Sequence, residues 1–446
     1  MTVPKPLVLT CATPTYGHVM PLRAIAKELI VRGYDVTFVT GSAFKERIEG
    51  IGARFIPLEG YADWSEATID AIAPERRSLP PGLVQISYNI EHCFINCIPE
   101  QHAAQQRALK FLTEKHPGRP IVMCNEAFYL GTMPCLLGTE GIRPVASIAI
   151  GIIPVVLSSI DTPAFGPGLP LDSSPEGRAR NIAMNKEIEE KSHAKPDRRF
   201  KEIMQQLGAK KTPPFFGDSV YLLPDRFLQM CIPSAEYPRS DAPPTMHFAG
   251  GLPKGVRDPF TNPPLWWSEI TNNTTKKIIA VSQGSLALNY EDLVIPTLKC
   301  FQDRNDVLVV AALGKKGATL PEAVAISENA RVADFIPFDD LLPHCAVFVT
   351  NGGYGAFQHA LSNGTPVVVA GATEDKPEVA ARAEWAGIGI NLRTGSPSPE
   401  QVRAAVEEVF ANDRYKARCR ELEEEMKGYD PMEMVQRSID DLAAGN

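Results

Sequence analysis

The chain has 446 residues, 44% of them apolar and 22% charged, which is enough apolar material for two or more buried cores and excludes a disordered or fibrous chain. Its formal net charge of −8 and pI near 5.6 leave no basic footprint for nucleic acid, so a small-molecule partner is expected. Nine cysteines, scattered and odd in number, offer neither a disulfide framework nor a paired CxxC metal signature, and they read as reduced buried thiols.

From Pro6 to Ala12 the chain is apolar and β-prone, and it turns through Thr13-Pro14-Thr15-Tyr16-Gly17. The next segment, "HVMPLRAIAKELIVRG", repeats Leu22, Ile25, Ala26, Leu29 and Ile30 at helical spacing and stops at Gly33. "YDVTFVT" is the next strand, followed by a helix near 42–50 and a strand near 53–57. Strand, helix and strand in this order require parallel pairing through crossovers. Further strands are expected at "PIVMCN" and "RPVASIAI", interrupted by insertions at 60–116 and 151–180 that are suited to shaping a pocket.

The stretch "HFAGGLPKGVRDPFTNPPLWW", residues 247–267, is rich in proline and glycine and reads as a linker. A second alternating set then begins with "KKIIAVSQGS" and continues through "DVLVVAAL", "ARVADFI", "AVFVTNGG", "PVVVAG" and "IGINL", with helices near 291–302, from 354 and near 376–385. The fold class expected is α/β, with two tandem doubly wound Rossmann-like domains facing across a cleft. Residues 1–246 form the first domain, 247–275 the linker and 276–428 the second, while a helix in 429–446 packs back on the first. No apolar run reaches the ~18 residues of a membrane helix, and the start lacks the flanks of a signal peptide. A cytoplasmic location is therefore expected.

In open parallel sheets, ligands bind beyond the carboxyl ends of strands, where turns enter helices. His18, following Gly17, stands at such a place, where the helix dipole should keep its ring neutral near pH 7. A helix-start histidine that only bonds to backbone fits the same spacing. "VTNGGYGAFQHAL" has the form of a phosphate cradle: the glycines allow close backbone approach, and the helix start supplies free N–H donors. Its candidate contacts are Asn351, Gly352, Gly353, Tyr354 and Gly355. In "GATEDKPEV", Glu374, Asp375 and Lys376 follow a strand and so stand at the carboxyl edge of the second sheet.

The segment "GHVMPLRAIAKELIVRGYDVTFVT" resembles the opening of family 1 glycosyltransferases, through Gly17, His18, Pro21, Ala26, Leu29, Arg32, Gly33, Val36 and Thr37. Tyr34 stands where the family has a second, non-catalytic histidine. The resemblance is to the UDP-glycosyltransferase-like, macrolide-type branch and implies the GT-B fold. It further implies an inverting, metal-independent enzyme that moves a hexosyl unit, with UDP-glucose the expected donor, to a hydroxyl of a lipophilic small molecule. His18 is then the general base. No cofactor, metal, nucleic acid or membrane span is expected, and the protein is expected to be a monomer. The family orients its base with an aspartate, and here "VMCNEAFYLG" places Asn125 at that position with Glu126 next. Asn125 is the expected orienter because adjacent strand residues face opposite sides, with Glu126 as the alternative.

The family's donor motif is similar to 351–376, with Asn351, Gly353, Gly364, Pro366 and Asp375 in register. Four positions depart from it: Asn351 replaces the phosphate-binding histidine, Ala356 a serine, His359 the ribose-binding glutamate and Lys376 a glutamine. The resemblance implies that Phe335 stacks on the base, that Ile336 offers backbone groups to its edge, and that Gln283, Gly284 and Ser285 cap the diphosphate. Asp375 takes the sugar-binding position, whereas Glu374 also fits a solvated helix-start acid. Trp64, Tyr88, Phe94, Phe128, Tyr129 and Phe165 are candidate walls of an apolar acceptor pocket. The departures leave two alternatives, a catalytically weakened nucleotide-sugar-binding auxiliary protein and a nucleotide-sugar epimerase.

Overall fold

Two runs of alternating strand and helix build two separate sheets in the computed structural model, which describes residues 4–252, 260–284, 287 and 289–445. The first sheet comprises β1 (Leu7–Cys11), β2 (Asp35–Thr40), β3 (Arg54–Pro57), β4 (Ile121–Glu126), β5 (Ala146–Gly151), β6 (Arg226–Gln229) and β7 (Met246–Phe248), in the order β3-β2-β1-β4-β5-β6-β7. The second comprises β8 (Lys277–Ser282), β9 (Val307–Ala312), β10 (Ala330–Ala333), β11 (Val347–Thr350), β12 (Val367–Val369) and β13 (Gly389–Asn391), in the order β10-β9-β8-β11-β12-β13. Their pairings are parallel.

Strands such as β1, β4 and β9 are buried along their whole length, as a parallel sheet covered by helices on both faces requires. In both sheets the crossovers reverse direction beside the founding strand, between β1 and β4 and again between β8 and β11. At those points Cys11 pairs with Asn125 and Thr350 with Ser282. The helices used below are α1 (Tyr16–Val31), α2 (Leu83–Cys93), α3 (Val294–Cys300), α4 (Tyr354–Ser362), α5 (Lys376–Trp385) and α6 (Pro431–Ala443).

Two strands went unread in the sequence. β6 and β7 have four and three residues, too short to show a period, and β7 overlaps the stretch taken as linker. The α6 helix inserts Met432, Val435 and Ile439 into the core that holds Leu22 and Ile25 of α1, and the Tyr34 hydroxyl donates to Asp440 at 2.7 Å. The chain end therefore rejoins the first domain.

A buried ion cluster joins the domains. Arg382, 1% exposed, donates from Nε to Glu236 Oε1 at 2.7 Å and from Nη1 to Glu378 Oε2 at 2.8 Å. Glu236 also accepts from the Val155 N–H at 3.0 Å, and Arg239 Nη1 lies 3.4 Å from its Oε1. Removing one member of such a cluster strands the others without counter-charge. Arg382→Met should thus lower unfolding stability by ~3–5 kcal/mol, read from urea denaturation midpoints. A loss below ~1 kcal/mol, the range of a solvated surface pair, would contradict this account.

Candidate active site

The reversal between β1 and β4 brings three pieces of chain together: the turn after β1, the first turn of α1 and the end of β4. His18 lies in that first turn with its side chain 18% exposed, and its Nδ1 is 3.1 Å from Glu126 Oε2. At that distance the Glu126 carboxylate faces the ring nitrogen directly. Glu126 is buried and fixed by backbone donors, the Phe128 N–H at 2.8 Å and the Thr13 N–H at 3.4 Å.

Burial alone would disfavour the imidazolium of His18, but the Glu126 carboxylate outweighs it and raises the ring's pKa above its ordinary value, with Asp375 and Glu66 adding to the effect. Burial likewise works against an ionised Glu126, and His18 with the two backbone donors reverses that and lowers its pKa. The adjacent carboxylate thus shifts the ring's pKa in the direction opposite to the one expected from the helix dipole.

Asn125 does not take the place expected of it. Its amide donates to the Glu126 carbonyl at 2.9 Å, and its Oδ1 has no hydrogen-bond partner among the described residues. The reason lies in the strand's alternation. Val122 and Cys124 share the core with α1, and Glu126 has the same parity, whereas Asn125 shares the parity of Ile121, which packs in the core on the other face.

Around His18 the walls are aromatic on one side. The Phe94 ring centroid is 5.8 Å from the imidazole and 6.0 Å from that of Phe128. Tyr88 is half-buried, its ring tilted 30° to that of His92 with centroids 4.2 Å apart and its hydroxyl accepting from the Glu75 N–H at 3.3 Å; Phe165 is half-buried in the loop after β5. Trp64 and Tyr129, read as pocket walls, are core residues instead. Both are buried in one apolar cluster, and the Tyr129 hydroxyl donates to the Gln101 carbonyl at 2.8 Å.

In the second domain the corresponding reversal lies between β8 and β11. Gly353 precedes α4, and no side chain caps that helix. A Cβ on Gly353 would meet nothing nearer than Asn351 Oδ1 at 3.9 Å, and one on Gly355 would meet nothing within 4 Å. The helix start therefore opens on free space with uncapped N–H groups, as an anion site requires. Asn351 donates from Nδ2 to the Gln283 carbonyl, which ties the β11 turn to the β8 turn. Gly352 packs too closely on Val369 to admit a side chain, and Gly284 lies near Asn351 Oδ1.

Several expected donor contacts are differently employed. The Gln283 side chain accepts from Leu293 and Val294 N–H at 3.2 and 2.9 Å and donates to the Asn289 carbonyl at 2.8 Å, so it holds the start of α3 and is not free to cap a diphosphate. Ser285 lies outside the described residues. The Tyr354 ring is buried in the interdomain core, and its hydroxyl accepts from Gln229 Nε2 at 2.9 Å, so only its backbone faces the helix start. Phe335 is 37% exposed, while Ile336 is buried and Ala356 packs beside the same core. His359 sets Nδ1 3.0 Å from Asp339 Oδ1.

The acidic segment meets the first domain. Glu374 pairs with Lys376 and lies 3.9 Å from Arg76 Nη2, and Lys376 also donates to Thr373 at 2.9 Å. Asp375 precedes α5; burial pushes its carboxyl up, Lys376 opposes that, Glu374 reinforces it, and His18 is close enough to act on it. The two candidate centres therefore share one cleft. Sequence reasoning missed Glu66, Arg76, Glu378 and Arg382 there. The last two were readable as an acid and a base four residues apart on an otherwise alanine-rich helix.

Residues 303–440 match the family model described as erythromycin biosynthesis protein CIII-like, C-terminal domain. UDP-glucosyltransferase A1 of Starmerella bombicola is 40% identical over 99% of this chain and 93% of its own length. The chain belongs to the UDP-glycosyltransferase family. The 4'-demethylrebeccamycin synthase of Lentzea aerocolonigenes is 35% identical to this glycosyltransferase over 95% of the chain and 96% of its own length. Among solved structures, the glycotransferase of kitacinnamycin superposes with a TM-score of 0.69 at 20% identity, covering 99% of this chain and all of its own, which establishes the GT-B fold. Among the described residues of this glycosyltransferase, no helix is long and apolar enough to cross a membrane, and no group of three or more His, Cys, Asp or Glu is placed to hold a metal ion. Its nine cysteines are free and buried.

The His18–Glu126 contact makes a spectroscopic prediction for this family member. With the carboxylate neutralised in Glu126→Gln, burial is left as the main influence, and the imidazole should titrate below 6.5 rather than above it. NMR titration of the histidine ring protons reads this directly; an unchanged pKa would mean that Glu126 does not set the charge of His18.

Proposed function

We propose that this protein transfers the glucosyl unit of UDP-glucose, with inversion and without a metal ion, to a hydroxyl group of a lipophilic small molecule. The donor assignment is supported by the names of its relatives, among them UDP-glucosyltransferases A1 and B1 of Starmerella bombicola. The observation that carries the reading is the His18–Glu126 pair standing across the cleft from Asp375.

The acceptor hydroxyl gives its proton to His18 at Nε2, since Nδ1 faces Glu126, and its oxygen attacks the anomeric carbon as the bond from that carbon to the nucleotide diphosphate breaks. Glu126 stabilises the imidazolium that forms and orients the ring. The diphosphate charge is met by the uncapped start of α4 and its dipole. Asn351, with its second amide hydrogen, lies beside it. Exposed Phe335 offers a face to the base, and Asp375 accepts sugar hydroxyls. His359 with Asp339 stands where the family's ribose-binding carboxylate would be, so the pair brings a carboxylate back to that position. Half-buried Phe94, packed edge-on against Phe128 in the core behind it, lines the acceptor side.

His18→Ala should lower transfer by ~10²-fold or more, the usual contribution of a general base, while UDP binding measured by calorimetry stays unchanged. Wild-type kcat/KM should fall as pH drops through the raised pKa of His18, because protonation removes the base. Retention of full activity by the alanine variant would overturn the mechanism.

Asp375→Ala should cut kcat/KM for the intact sugar nucleotide by ~10-fold or more, the loss of one or two hydrogen bonds to a charged group, with free UDP binding as before. Equal weakening of both ligands would mean that Asp375 supports the nucleotide or the fold and not the sugar. Activity in excess EDTA tests the metal assignment: full inhibition reversed by a divalent cation would reject it.

A further inference from the structure

The loop after β5 touches the second domain through a buried charge. Glu378, one turn beyond Asp375 on α5, is 3% exposed. Its Oε1 accepts two backbone N–H groups, from Gly166 at 2.7 Å and Gly168 at 2.8 Å, while Oε2 accepts from Arg382 at 2.8 Å. Arg382 donates in turn to Glu236, which accepts from the Val155 N–H near the start of the same loop. Both ends of the loop therefore hang on one charge cluster. The loop also rests on the first domain: a Cβ on Gly166 would lie 2.6 Å from Leu83 at the start of α2, the helix that leads into Phe94 beside His18.

The two glycines are needed for this path. Gly168 has φ +63 and would place a Cβ 2.4 Å from the Pro377 carbonyl, and Gly166 has φ +125. Only a residue without a side chain brings both amides onto one carboxylate oxygen at this distance. Two donors converging on one buried oxygen form a charge-assisted pair that a neutral amide does not reproduce.

We infer that Glu378 is a positioning residue, tying the acceptor-side loop 152–170 to α5, the helix that follows Asp375, and so fixing the acceptor in register with the donor sugar. This rests on the reading above, in which the Phe94 side takes the acceptor and Asp375 the sugar. It adds a specificity determinant that contacts neither substrate. Substitutions at Glu378 or Gly168 should change acceptor use while sparing the nucleotide site.

Three measurements test it. In the unmodified protein, hydrogen exchange of peptides spanning Gly166 and Gly168 should be slow, and in Glu378→Gln it should quicken by ~10-fold or more, the consequence of losing charged bonds. Wild-type exchange as fast as that of the variant would show that the tie is absent, whatever the enzyme's substrates prove to be. In steady-state assays with UDP-glucose and an aromatic alcohol, Glu378→Gln and Gly168→Ala should each raise acceptor KM by ~10-fold, with the calorimetric Kd for UDP within about two-fold of wild type. Gly168→Ala removes no charge, so it decides the matter if Glu378→Gln unfolds. Unchanged acceptor KM in a folded variant, or parallel loss of acceptor KM and UDP affinity, would overturn the positioning role. A wild-type protein that glycosylates nothing would instead reject the parent reading, leaving the exchange result to judge the tie by itself.

Discussion

A right-handed crossover carries the chain to one face of a parallel sheet, and each sheet here grows outward from a founding strand in both directions. Successive crossovers must then leave toward opposite faces beside that strand, and no helix covers the gap between them. In the first domain the gap admits the start of α1 and the end of β4, and in the second it admits the turns after β8 and β11. The cleft contacts follow: Gln229 ends β6 and donates to Tyr354 at the start of α4, while Arg76 reaches Glu374. Because both gaps lie at carboxyl ends, setting those edges face to face brings the two centres together.

The relative placement of the edges is held by charge as well as by apolar contact. Desolvating Arg382, Arg239, Glu236 and Glu378 is expensive, and the cost is offset only because each finds partners at close range, including backbone N–H groups. Such a cluster tolerates little sliding, since a shift of an ångström leaves a buried charge without its donor. Apolar contacts alone, as between Trp385 and Tyr237, would permit more adjustment. The geometry between His18 and Asp375 is accordingly set by residues that touch neither.

Much of this was legible in the sequence because periodicity and turn residues report local structure. Buried strands such as "PLVLTCA" and "DVLVVAAL" are continuous apolar runs, and α1 shows its face at helical spacing. The short strands β6 and β7 carry no such signal. Side-chain partners were the weaker part, since they depend on which face a residue takes. Glu126 could have been chosen over Asn125 by extending the parity of Val122 and Cys124, had the face covered by α1 been fixed first. Gln283 and Tyr354 lie in the right turns but point elsewhere, one to the start of α3 and the other into the interdomain core. The backbone position was readable; the direction of the side chain was not.

The two helix starts at the two gaps are topologically equivalent, so topology alone does not say which should hold an anion. One carboxylate separates them. At α1, Glu66 Oε1 accepts the Tyr16 N–H at 2.6 Å, placing a negative charge on the positive end of the helix. A phosphate there would meet a carboxylate already in place, with Glu126 close behind it. At α4 no side chain caps the helix, and positions 353 and 355 carry glycine with open space around them. The free donors and the dipole are therefore left unsatisfied on one side of the cleft and satisfied on the other. In the proposed reaction the first domain then takes a neutral hydroxyl that must lose a proton, and the second a diphosphate that must gain charge. In the proposed reaction that division of labour follows from where Glu66 sits, and it agrees with the raised pKa of His18, a ring placed among carboxylates that favour its protonated form.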